Sequence, residues 1–252
     1  MPRGFFRQAA ALVAAAAMSA SAPVLASTIW SFGTGGSAST STGSSFGNVR
    51  TFTEASQTVS VTAWSDTGVA PASSFAIAYL GRYMTGLGVC NASEAVVAGS
   101  LSACASDGGV RDQVDNVGNQ DLVLFVFDTP QVFESLTIDP HGVFDRDVSF
   151  WVGSASLPIN LAGLTFADLS GIGFGAQQNS LNGPGGEPLT ISLGNASGNV
   201  LLVGALVPPN GDNDKFKIQS LAASAVPLPG TIGLFLAGFG LLLGRLRRRV
   251  AV

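Results

Sequence analysis

Six consecutive apolar residues, Leu122-Val123-Leu124-Phe125-Val126-Phe127, do most to limit what this chain can become. Asp121 bounds them on one side and Asp128-Thr129-Pro130 on the other. A run this short, rich in β-branched and aromatic residues, reads as a strand buried on both faces. The segments around it alternate apolar and polar. Residues 51–64 read as one strand, with Phe52, Val59, Val61 and Ala63 set against Thr58, Ser60 and Thr62. Period two is the strand period. Residues 74–83, 132–138, 147–152, 188–193, 200–207 and 215–222 extend the series, separated by Gly, Pro and Asn turns. Residues 27–45 read as a short strand followed by a flexible Gly/Ser/Thr-rich loop, and Phe166-Ala167-Asp168-Leu169 as a helical turn. The expected fold is all-β, an antiparallel β-sandwich of jelly-roll-like form.

Both ends of the chain stand apart from this pattern. Arg3 and Arg7 precede an apolar run over residues 9–18, and Val24-Leu25-Ala26 is a small-x-small cleavage site. That order is the layout of a secretory signal peptide over residues 1–26, with Ser27 as the mature N-terminus. At the other end, residues 226–244 carry no charge. As a helix they would measure roughly 28 Å at ~1.5 Å per residue, near the lower limit for a single transmembrane helix. Arg245, Arg247, Arg248 and Arg249 follow and hold the tail on the cytoplasmic side. Pro227 and Pro229 detach this segment from the body. The body, residues 27–225, is expected to be one domain outside the inner membrane.

All 16 acidic residues lie in that body, against six basic ones: Arg50, Arg82, Arg111, Arg146, Lys215 and Lys217. A net charge of −10 argues against nucleic acid and anionic membrane surfaces as partners. Two cysteines, Cys90 and Cys104, are expected to pair in an oxidising compartment. The loop they close would contribute roughly 3 kcal/mol by the chain-entropy estimate.

Chemistry-bearing residues are sparse. His141, the single histidine, sits in an Asp-Pro-His-Gly turn with no nucleophile elbow beside it. Gly171-Ile172-Gly173-Phe174-Gly175 lacks the basic residue of a phosphate cradle. Aspartates form three groups: Asp112, Asp115 and Asp121 with Asn116; Asp139, Asp145 and Asp147; and Asp212 and Asp214 with Asn213. Turn chemistry accounts for such residues. The alternative is calcium, with Asp145, Asp147, Asp212 and Asp214 as candidate ligands; no other cofactor is expected. Asp145 and Asp147, two apart on a strand, would share a face, which is what a secreted hydrolase would need. Trp30, Trp64 and Trp151 are candidate platforms for sugar rings, with Trp64 the best placed and Trp151 expected in the core.

The C-terminus resembles a PEP-CTERM sorting domain. The likeness rests on Val226-Pro227-Leu228-Pro229, the Gly/Leu-rich stretch to Gly244, and the arginine tail. Leu228 stands where that family usually has Glu. The resemblance implies recognition by exosortase, a membrane cysteine transpeptidase of Gram-negative bacteria that make exopolysaccharide. It also implies removal of the tail and sorting to the cell surface or extracellular matrix. Gly86-Leu87-Gly88-Val89, Val114-Asp115-Asn116-Val117-Gly118 and residues 121–128 are similar to exosortase-dependent surface proteins, which implies a β-rich surface domain without catalytic residues. The expected function is that of a non-enzymatic surface or matrix protein associated with exopolysaccharide or biofilm. A carbohydrate- or calcium-binding extracellular module is the alternative, and a secreted hydrolase comes third.

Overall fold

A computed structural model describes residues 26–66, 73–94, 112–208 and 213–226. They belong to one compact unit, Leu25–Val226. The expected signal peptide, Cys104, Asp212, the Pro227-Leu228-Pro229 motif and Arg245, Arg247, Arg248 and Arg249 lie outside the described residues. Among the described residues no helix is long and apolar enough to cross a membrane.

The described chain is mostly β. Its strands are β1 (Thr28–Ser31), β2 (Ala38–Thr42), β3 (Val49–Glu54), β4 (Gln57–Asp66), β5 (Phe75–Ile77), β6 (Tyr79–Tyr83) and β7 (Gly86–Cys90). They continue with β8 (Val114–Asp115), β9 (Asp121–Pro140), β10 (Val148–Gly153), β11 (Gln178–Ser180), β12 (Leu189–Ala205) and β13 (Lys215–Ala225). One large antiparallel sheet joins them in the order β11-β10-β12-β9-β13-β7-β6, with β4 also on β9 and β3, β2 and β5 attached through β4.

The organising element is β9, 20 residues long. Its first part pairs with β4, from Val59↔Phe127 to Ser65↔Asp121. Its second part pairs with β13, from Ala225↔Gln131 to Phe216↔Pro140. β12 accompanies both parts, with register shifts between Ser192/Ala196 and Gly198/Val200. Asp128, Thr129 and Pro130 are exposed at the change of partner. Proline has no N–H to give a ladder, which suits a place where pairing lapses. Across from it Gly198 is required, because a Cβ there would lie 2.1 Å from the Gly153 carbonyl oxygen.

Burial follows from this course. Val123, Phe125 and Phe127 join the main core with Trp30, Phe52, Val61, Leu136, Ile218 and Leu221. Leu122 and Leu124 face a second core with Trp64, Trp151 and Leu169. The 122–127 run is therefore buried on both faces, as its composition requires. Phe127 contacts Trp30 at 5.3 Å and Phe133 at 5.5 Å between ring centroids, so aromatic rings from either side of the change of partner meet in one cluster. Each fully buried large apolar side chain is worth about 1.5–3 kcal/mol.

Several expectations change in detail. Residues 51–64 are a hairpin, β3 and β4, turned by Ala55 and Ser56 with φ of 47° and 65°. The stretch expected as a flexible loop contains β2, which pairs with β3. Residues 74–83 divide into β5 and β6, while 122–127 with 132–138, and 188–193 with 200–207, merge into the long β9 and β12. The expected helical turn is a 3₁₀ turn, Phe166–Ile172, ended by Gly173 at φ 103°.

Candidate functional site

The beginning of β13 gathers the carboxylates. Asp145 and Asp214 form an isolated bridge, and Lys215 N–H donates to the Asp145 carbonyl at 3.2 Å. Asp145 and Asp147 lie before β10 rather than on a strand, so the expected strand alternation is not what brings them together. Their carboxylates and that of Asp214 offer oxygens within 4.8 Å of one another. All three are buried, Asp214 completely. Two aspartate groups far apart in the chain thus become one cluster; Asp139 does not join it, and Asp212 lies outside the described residues.

The domain itself holds this cluster in place. Asp147 N–H donates to Asp214 Oδ1 at 3.0 Å, and Asn116 Nδ2 donates to Asp214 Oδ2 at 2.5 Å. Asp214 N–H donates to Asn116 Oδ1 at 3.0 Å. Asn182 and Gly183 N–H groups donate to Asp147 Oδ1 at 2.5 and 3.3 Å, and Arg146 N–H to Asp145 Oδ1 at 2.7 Å. The Arg146 guanidinium turns to carbonyls of Gly183, Asn182 and Glu187 instead. Burial, then the neighbouring Asp147 and Asp145 charges, raise the Asp214 pKa to about 7 against the pull of the Asp147 and Leu206 N–H groups.

A second cluster adjoins the first through consecutive residues Asp115 and Asn116. Glu94, Asp115 and Asp121 offer oxygens within 4.8 Å of one another. Asp121 is fully buried, and burial followed by the Glu94 and Asp115 charges pushes its carboxyl well above the usual range. Asn91 Nδ2 donates to Asp121 Oδ1 at 3.1 Å. Burial raises Asp115 to about 6, opposed by the Val117 N–H and by Lys215, whose Nζ lies 3.9 Å from Asp115 Oδ2. Lys217 Nζ lies 3.1 Å from Asp112 Oδ2 and 4.2 Å from the Tyr83 ring centroid. Glu94, Lys215 and Lys217 are the members that sequence reading passed over. The two lysines were legible only as spaced on one face of a strand, with no sign of which acids they meet.

Chemically, such a cluster takes up a proton near neutral pH or shares its charge with a cation. The remaining candidates resolve as structure. Trp30, Trp64 and Trp151 are all buried, which removes them as exposed sugar platforms; Trp64 Nε1 donates to Thr62 Oγ1 at 3.0 Å. His141 donates its N–H to the Lys215 carbonyl and stacks on Phe144 at 6.0 Å. Gly173 caps the 3₁₀ turn, and a Cβ there would lie 2.4 Å from the Ser154 carbonyl oxygen. Cys90 is buried at the end of β7 and is not a free thiol. No family model matches this chain, and no curated protein matches it.

Proposed function

We propose that this chain is an exported, non-enzymatic surface or extracellular-matrix protein, sorted by an exosortase system and associated with exopolysaccharide or biofilm. The observation that carries this reading is the ordered C-terminal sequence: Val226-Pro227-Leu228-Pro229, the uncharged stretch to Gly244, then Arg245, Arg247, Arg248 and Arg249. A leader-like sequence at residues 1–26 fits the same orientation. The acidic β body between them supports it. In that body the carboxylates able to do acid–base work are enclosed and bonded to backbone rather than set in a cleft. The change of partner along β9 and the register shifts against β12, which bend strands, support a sandwich. A Cys90–Cys104 disulfide belongs to the same extracellular reading. Exosortase, exopolysaccharide and, before processing, the inner membrane are the partners.

The test is deletion of residues 226–252 followed by cell fractionation. The full chain is expected at the surface or in the medium, and the truncation in the periplasm. Identical distributions refute the sorting reading.

A calcium-binding extracellular module is the second reading. In its favour, Asp145, Asp147 and Asp214 converge from separate stretches of chain, with Asn116 at their side. It stands second because each of these carboxylates already accepts a hydrogen bond from within the domain. Calorimetry with calcium chloride decides it, and the absence of heat removes it.

A further inference from the structure

Four buried side-chain oxygens among the described residues accept no hydrogen bond: Gln57 Oε1, Asp112 Oδ2, Asp121 Oδ2 and Gln131 Oε1. An unmade bond of this kind costs about 1–3 kcal/mol, so each one calls for a reason. Asp112 Oδ2 has Lys217 Nζ at 3.1 Å, and Asp121 belongs to a carboxylate cluster. The other two are neutral amides, and both line the same groove.

That groove exists because β9 changes partners. β4 leaves β9 at Val59↔Phe127, and β13 leaves it at Ala225↔Gln131. Between these registers the strands part, and a cavity of about 360 Å³ opens. This is within the range of roughly 300–1,000 Å³ usual for small-molecule sites. Its polar lining is Ser56, Gln57, Thr58, Asp128, Thr129 and Gln131. The amide nitrogens are already used: Gln131 Nε2 donates to the Thr129 carbonyl and Oγ1 at 3.1 and 3.2 Å, and Gln57 Nε2 to Thr28 Oγ1 at 3.1 Å.

We propose that the groove where β9 changes partners binds a neutral, hydroxyl-rich ligand, a saccharide unit, through Gln57, Gln131 and Asp128. Three features select that class. Among the described residues no basic side chain lines the groove, so sulfate, phosphate and uronate groups would meet Asp128 without compensation. The lining alternates hydroxyls, amides and one carboxylate, which suits vicinal hydroxyls that both donate and accept. The Thr129 carbonyl can only accept, so it fixes the Gln131 nitrogen on itself and leaves the oxygen as the unpartnered atom, to which a ligand hydroxyl would donate. With no exposed aromatic platform among the described residues, binding is weak for a single unit, and repetition along a polymer supplies avidity. The inference names a ligand for the domain proposed above and does not depend on how that domain is sorted. The fractionation test and the sugar test therefore fail separately.

The test is saturation-transfer difference NMR on the full-length chain with cellobiose, maltose, lactose and chitobiose, and with digalacturonate as the anionic counterpart. At least one neutral disaccharide is expected to give a signal that weakens about tenfold in apparent affinity in Gln131→Met, as expected for the loss of one buried hydrogen bond. Asp128→Ala, at an exposed position that leaves folding intact, is expected to weaken it severalfold. No signal from any neutral disaccharide overturns the proposal. A signal from digalacturonate alone, or one undiminished in both variants, overturns it as well.

Discussion

β13 connects two regions of opposite character. At its start, Lys215 pairs with Asp115 beside two carboxylate clusters; at its end, Ala225 pairs with Gln131 beside a neutral groove. The charged end is rich in ionisable groups, yet its aspartates accept bonds from Asn91, Asn116, Asn182 and their neighbours' backbone; of its two unbonded oxygens Asp112 Oδ2 faces Lys217 Nζ at 3.1 Å, and Asp121 Oδ2 sits among carboxylates that a proton can join. The neutral end bears one carboxylate in its lining and leaves two amide oxygens without partners. Charge density and readiness to bind are therefore different properties. A buried acidic cluster that bonds to its own fold is a structural knot. A neutral groove with unmet hydrogen bonds is the better place to look for a ligand.

The largest effect that would break this comparison lies at the knot. Asn116→Leu removes the donor to Asp214 Oδ2 and the acceptor of Asp214 N–H, leaving a buried carboxylate exposed to its neighbours' repulsion. A loss of about 3 kcal/mol or more in urea unfolding is expected; a loss below ~1 kcal/mol would mean that the cluster is not held by these bonds. Next is pH. The folded pKa values of Asp214 and Asp115 rise to about 7 and about 6, with Asp121 also raised, against an ordinary value of 3.8. Between those limits the folded chain binds protons that the unfolded chain has released. Stability is therefore highest below the unfolded value and falls as pH rises through the folded ones. The melting temperature is expected to increase from pH 8 to pH 5; a decrease shows that these groups are anions stabilised by another partner.

Asp145→Asn is a smaller change. Its Oδ1 still accepts the Arg146 N–H while one repelling charge beside Asp214 disappears. The domain is expected to gain about 1 kcal/mol at pH 8, with the acid-induced gain reduced. Equal pH profiles in variant and parent would detach Asp145 from the titration. The smallest effect is at the groove. Gln131→Met removes an unpartnered oxygen together with the bonds of its nitrogen, so these terms offset. A stability change within ~1 kcal/mol is expected by the same urea assay; a loss of several kcal/mol would make Gln131 a structural residue.

Reading residues 122–127 as doubly buried needed only the run itself, because six apolar residues flanked by aspartates have few other ways to leave water. The β3–β4 turn was harder. Ala55 and Ser56 carry none of the Gly, Asn or Asp signals of a two-residue turn. The remaining clue was parity: Phe52 and Val59 are both buried though an odd number of residues apart, which one straight strand does not allow. β2, with its exposed Ala-Ser-Thr-Ser-Thr, has no apolar face and takes strand form from pairing with β3. Of the calcium candidates, Asp145, Asp147 and Asp214 do meet, but their partners Asn116 and Asn182 come from segments that no spacing rule connects to them.

By itself the sequence determined the β character of the body, its acidic charge, and the distinct composition of its two ends, because periodicity, charge and apolar length are local properties of a chain. Tertiary structure alone decided that β9 serves two sets of partners. It also decided that aspartates some 70 residues apart share one buried cluster, and that two glutamines are left with unmet hydrogen bonds in one groove. Those outcomes depend on which strands part and which loops close over them, and long-range pairing leaves no mark in the residues that undergo it.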